Sequence, residues 1–99
     1  MKTIEVAPSA RKELSATVEW YEARSQGLGV RFFEVVDEAF TSIAHAPAGF
    51  PVWEQDERVR KFVLDRFPYV IFYRELVRSI EVIAVAHTAR KPGYWIEQT

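Results

Sequence analysis

Polar and apolar residues alternate at the start of the chain, in KTIEVA, and this alternation predicts a short strand that Pro8 stops. Proline suits the first turn of a helix. From there Ala10, Leu14, Val18 and Tyr21 recur at spacings of four, four and three, which predicts an amphipathic helix. Gly27 is placed to end it as a left-handed cap. Past a tight GLG linker, Phe32, Val36, Ala39, Phe40 and Ile43 fall on one face of a second helix, which runs to Pro47. Arg31, Glu34, Asp37 and Glu38 fall largely on the other face. Two apolar-faced helices joined by so few residues must lie antiparallel.

The segment AGFPVWEQDE reads as a loop from its prolines, glycine and charges. Past it the pattern is that of a sheet. RVRKFVLD sets Arg60, Phe62 and Leu64 on one face, and PYVIFYRE is rich in aromatic and β-branched residues. SIEVIAVAH sets Ile80, Val82, Ala84 and Ala86 against Glu81, Ile83, Val85 and His87. The breaks between these runs are too short for a crossover helix, so neighbouring strands are expected to be antiparallel. The predicted order is β-α-α-β-β-β. It forms an α+β fold with an N-terminal strand and a helical hairpin packed on a curved, mainly antiparallel sheet, a single domain over residues 1–99.

The bulk numbers narrow the chemistry. A chain of 99 residues has room for one small core and little surface for an elaborate catalytic cavity. There is no cysteine, and His45 and His87 lie far apart, so no disulfide, metal or cofactor is assigned. No stretch approaches the roughly 18 to 20 apolar residues of a membrane span, and the N-terminus has no long apolar run of the signal-peptide kind. A cytoplasmic protein with no membrane partner is expected. The net charge of −1 hides an asymmetry: residues 58–91 carry eight cations against three acids, and the rest of the chain is acidic. A basic functional surface and a merely solvated strand face both fit that distribution.

The glycine pair in GLG follows a helix, so it is no phosphate cradle, and no serine lies in a nucleophile elbow. His45 falls at the end of the second helix, where the dipole favours a cation. His87 has two readings. It is a partly buried histidine bonded to a loop, or it works with Arg90 and with Arg58, Arg60 or Lys61 of an adjacent strand in RNA cleavage, which needs a base, an acid and cations. Along the first helix Trp20 and Tyr21 point about 100° apart. Tyr21 is thus expected to fill the core, and Trp20 to flank it as an anchor for a partner helix.

These segments together resemble a known family. WYE in the first helix, GLG between helices, a phenylalanine-rich second helix, then RFPYVIFY and AVAHTARKPGYW resemble the RelE/ParE superfamily of bacterial type II toxin–antitoxin toxins over nearly the whole chain. FPY followed by I-x-Y and AVAH-x-x-R-x-P-x-Y-W is similar to the ParE branch, also called plasmid stabilisation proteins. The resemblance implies the fold above and a cognate antitoxin that wraps the toxin. The implied target is DNA gyrase for ParE-like members and ribosome-bound mRNA for RelE-like ones. Trp20, Leu28, Phe33 and Phe40 are the expected antitoxin contacts. Arg90, Lys91, Tyr94 and Trp95 are the expected target contacts of a ParE-like toxin, which has no catalytic residue assigned. In a RelE-like endoribonuclease the set is Arg58, Arg60, Lys61, His87, Arg90 and Tyr94. The charge of −1 departs from the basic habit of those nucleases, so the reading taken is a gyrase-inhibiting toxin that is not itself an enzyme. The alternatives are the ribosome-dependent nuclease and a non-toxic relic of the fold that still binds an antitoxin.

Overall fold

The structure, a computed structural model, describes residues 1–89. In chain order it contains β1 (Thr3–Val6), α1 (Pro8–Arg24), α2 (Leu28–His45), a 3-10 turn (Pro47–Gly49), β2 (Val52–Trp53), β3 (Asp56–Val63), β4 (Tyr69–Glu75) and β5 (Ser79–His87). The five strands form one sheet in the order β1-β5-β4-β3-β2. The successive strands β2 to β5 pair antiparallel, and β1 lies parallel to β5 with Ile4 opposite Ile80 and Val6 opposite Val82. This is the predicted α+β architecture with one addition. The segment expected to be a loop contains the 3-10 turn and β2, and β3 begins already at Asp56. Prolines and charges hid a strand of two residues, which is too short to show a period.

The hairpin between the helices is tighter than its sequence suggests. Gly27 is left-handed, with φ +86°, but it does not end α1, which stops at Arg24 with Ser25 extended behind it. Gly27 instead precedes α2 directly, so Leu28 and Gly29 belong to the second helix and not to a linker. The carboxylate of Glu22, still on α1, accepts the N–H groups of Gly27 at 2.8 Å and Gly29 at 3.0 Å. It thereby satisfies donors that a helix start leaves without partners. A Cβ on Gly29 would collide with the Val18 carbonyl oxygen and stand 2.9 Å from Glu22 Cβ. The glycine is what lets α2 cross α1 backbone to backbone.

The helix side of the sheet holds the main core: Ala10, Phe32, Val36, Ala39, Ile43, Leu64, Ile71, Tyr73, Ile80, Val82 and Val85. A second apolar cluster, Trp53, Val59, Phe72, Ala84 and Ala86, lies apart from it. Its origin is a bulge. Opposite Phe72 stands Ala84, but opposite Tyr73 stands Val82, so Ile83 is an extra residue in β5. One inserted residue exchanges the faces of everything beyond it. Ile80 and Val82 face the helices as the alternation predicts, whereas past Ile83 it is Val85 that does so and Ala84 and Ala86 that turn away. His87 therefore sits on the helix side, two residues beyond Val85.

The chain between α2 and β3 is fixed by three donors from the sheet. The buried Tyr73 hydroxyl donates to the Pro47 carbonyl at 2.7 Å, Arg60 donates to the Phe50 carbonyl at 2.7 Å, and the Lys61 N–H donates to Pro51 at 3.0 Å. The segment they hold leads into Trp53, which packs on Phe72 with ring centroids 5.6 Å apart. Among the described residues no helix is long and apolar enough to cross a membrane.

Candidate functional site

Side chains alternate across β3, so Arg58 and Arg60 share one face of the strand and Lys61 takes the other with Val59. Each of the three cations has a local partner. Arg58 forms a two-point ion pair with Asp56, through Nε and Nη2 at 3.0 Å each, and this hydrogen bonding holds the Asp56 carboxyl below its usual range. Lys61 pairs with Glu54 across the β2–β3 turn at 3.0 Å, and lowers the Glu54 carboxyl by the same means. Arg60 reaches the Phe50 carbonyl. The second apolar cluster, with Trp53 only 3% exposed, covers the sheet on the side of Lys61.

His87 stands elsewhere. Its neighbour on the adjacent strand is Tyr69, directly opposite in register, with the rings edge to face at 5.1 Å. The strand beyond carries Leu64 at that level, where the Leu64 N–H meets the Tyr69 carbonyl. Lys61 is three residues further along, roughly 10 Å by the strand rise, and on the opposite face. The structure does not bring His87 together with Arg58, Arg60 or Lys61: β3 is separated from β5 by β4, and the register sets Leu64 at the level of the imidazole.

What surrounds His87 is aromatic. Ala16, Thr17, Trp20 and Tyr21 of α1 together with Tyr69 and His87 line a cleft of about 320 Å³ between the helix and the sheet end. Tyr21 bridges cleft and core, contacting Trp20 at 5.1 Å, Phe67 at 5.1 Å and Phe32 at 5.3 Å between ring centroids. Burial pushes its phenol above the ordinary tyrosine value, with Tyr69 a second contribution. Trp20 remains 49% exposed. The guanidinium of Arg24, one turn further along α1, stacks on its ring with Cζ 3.5 Å from the centroid. His87 Nδ1 accepts the Ala89 N–H at 3.0 Å, which places the proton of the neutral ring on Nε2. His87 is exposed and bonded to its own loop, so the part-burial expected of it is not found.

The other expected partner contacts do not adjoin Trp20. Phe33, 50% exposed, and Phe40 are seven positions apart and so fall on one side of α2, the side where Gly29 meets α1. Val30, 56% exposed, extends this stripe and is absent from the sequence expectation. Leu28 points about 140° away from Phe33. It lines a separate groove with Arg31, Val35 and the β3–β4 turn, where Arg66 is held at φ +74°. The four residues therefore mark three places on the hairpin. Arg90, Lys91, Tyr94 and Trp95 lie outside the described residues. Among the described residues no three histidine or carboxylate side chains come together as a metal site.

Tyr69, which lines the cleft, and Arg24, which stacks on the lining residue Trp20, were passed over by the sequence reading. Arg24 was legible as the i+4 neighbour of Trp20, whereas Tyr69 required the strand register.

A family model described as the ParE toxin of the type II toxin-antitoxin system, parDE, matches residues 4–92. A solved structure titled as a chromosomal ParDE TA system from P. aeruginosa shares the fold with a TM-score of 0.65 at 16% identity, covering 88% of this chain and 96% of that one. No curated protein sequence matches.

Proposed function

Because the chain belongs to the ParE toxin family of type II toxin–antitoxin systems, we propose that it works as a contact toxin. In this reading it binds DNA gyrase in the cytoplasm, holds it in an inhibited, DNA-cleaved state, and is neutralised by a cognate antitoxin, so that loss of the encoding plasmid or locus is penalised. Such a mechanism needs a binding surface and no proton shuttle. The observation that carries it is the state of the cations. Arg58, Arg60 and Lys61 are each bound to a neighbour, divided between two faces of β3, and remote from His87. A phosphorane-stabilising cluster requires several cations aimed at one point. The expected target contacts Arg90, Lys91, Tyr94 and Trp95 combine the cation and ring types that dominate interfaces.

The direct test is a DNA supercoiling assay with purified gyrase. The purified protein is expected to inhibit supercoiling and to accumulate cleaved DNA, and stoichiometric antitoxin is expected to reverse both. Full gyrase activity alongside cleavage of mRNA on purified ribosomes would instead establish the nuclease reading.

A further inference from the structure

We propose that the cleft between α1 and the ends of β4 and β5 is the receptor for one acidic anchor of the antitoxin. An apolar side chain enters between Trp20, Tyr21 and Tyr69, and an adjacent Asp or Glu carboxylate takes hydrogen bonds from Arg24 and from His87 Nε2–H. This assignment rests on the toxin–antitoxin reading above and specifies the chemistry of one contact within it.

Three residues able to donate, Tyr21, Tyr69 and His87, line this cleft, and a fourth, Arg24, lies on the ring of the lining residue Trp20; none has a hydrogen-bond or ion-pair acceptor among the described residues. Arg24 is stacked over the Trp20 ring and forms no ion pair among the described residues. His87 has Nδ1 engaged with Ala89, so its remaining nitrogen is a donor. The hydroxyls of Tyr21 and Tyr69 complete the set, both residues lining the cleft. Donors without acceptors among the described residues fit a carboxylate, which accepts at both oxygens and binds most strongly to charged donors. The walls are aromatic and the space is that of a side chain rather than a helix. Trp20 and Arg24 are also of residue types enriched among interface anchors.

A nucleic acid fits less well. A polyanion gains affinity by neutralising many phosphates, whereas Arg24 is the one guanidinium at the cleft among the described residues. Glu19 and Glu22 are exposed on the same helix, and Glu34, Asp37 and Glu38 on the next.

The experiment is isothermal titration of the purified full-length protein with purified cognate antitoxin, for the wild type, Arg24→Gln, His87→Ala and the double variant. Thermal melting verifies that each is folded. Losing a hydrogen bond to a charged group corresponds to about 10- to 100-fold in affinity, so Arg24→Gln is expected to weaken binding by that factor and to flatten its salt dependence. His87→Ala is expected to weaken it as well, and the indole N–H resonance of Trp20 is expected to shift on complex formation. Unchanged affinity in the double variant overturns the assignment while leaving the toxin–antitoxin reading standing. A single-stranded oligonucleotide that shifts the Trp20 resonance when the antitoxin does not overturns it in favour of a nucleic-acid site. A wild type that fails to bind antitoxin at all overturns both.

Discussion

The carboxylate of Glu13 accepts the backbone N–H of Val85 at 3.1 Å. Its position explains why it is there. β1 accompanies β5 only as far as Val82, after which the chain turns into α1 through the bond from the Ala7 N–H to the Val82 carbonyl. Among the described residues the edge of β5 beyond the bulge has no strand neighbour on that side, and α1 supplies an acceptor there. A part-buried N–H left without its partner costs about 1 to 3 kcal/mol. Glu13→Ala is therefore expected to lower unfolding free energy by that amount in urea titration. Glu13→Gln, which keeps an acceptor oxygen, should lose less.

Gly29→Ala is a test of the hairpin. The added methyl meets the Val18 carbonyl and Glu22 Cβ, and the first of these is backbone that cannot rotate aside. The helix propensity of alanine favours the change by about 1 kcal/mol, but forcing the helices apart at their closest approach costs about 1 to 3 kcal/mol. A net fall in melting temperature is expected. A rise would mean that the crossing relaxes without loss.

Ile71 and Phe72 are neighbours on the central strand, so their side chains point to opposite faces. Ile71 faces the helices, fully buried among α2 and β5 residues, whereas Phe72 packs on Trp53 in the second cluster. Truncation of either to alanine is expected to cost about 2 to 5 kcal/mol. The distinction lies in what else changes. Phe72→Ala should red-shift the emission of Trp53 in the native protein, measured with Trp20 and Trp95 replaced by phenylalanine, and Ile71→Ala should leave it nearly in place.

Burial raises the Tyr73 phenol from 10.0 to about 12, against a smaller opposing effect of Arg60. The folded protein thus favours the neutral phenol. Its contribution to stability is complete below pH 10 and is lost as pH rises through the interval from 10 to about 12, because the unfolded chain ionises first. Tyr73→Phe is expected to be less stable at pH 7 by about 1 kcal/mol, for loss of the bond to Pro47. Its unfolding free energy should fall less steeply than that of the wild type above pH 10. Parallel slopes would contradict this account of the buried hydroxyl.

Much of the architecture was legible in the periods. The spacing of Ala10, Leu14, Val18 and Tyr21 placed α1, that of Phe32, Val36, Ala39 and Ile43 placed α2, and the alternation of Ile80 and Val82 placed the helix face of β5. What the periods could not show is where they break. Ile83 is apolar like its neighbours, so nothing in SIEVIAVAH marks it as the inserted residue. The insertion becomes visible only when β5 is set against β4. That one residue decides which face carries His87, and so which chemistry it can join. The same limit applies to Gly27 and Gly29. Gly27 read as the left-handed cap that ends α1 and is left-handed but opens α2, while Gly29 read as a linker glycine and provides a close helix crossing. Trp20 was identified from its angle to Tyr21 alone, since a flank position on a helix needs no tertiary information. Leu28, Phe33 and Phe40 were grouped as expected antitoxin contacts, and helical geometry sets Leu28 apart from the other two.

The central claim is that this chain arrests cells by binding gyrase and not by cutting RNA. Pulse labelling of DNA and of protein, sampled every few minutes after induced expression without antitoxin, tests it most directly. The account predicts that DNA synthesis falls first while protein synthesis continues, and that His87→Ala gives the same order at a similar dose. A contact surface does not depend on one imidazole, whereas a general acid or base contributes about 10²- to 10⁴-fold to a rate. Protein synthesis falling first, with arrest abolished in a folded His87→Ala variant, would contradict it.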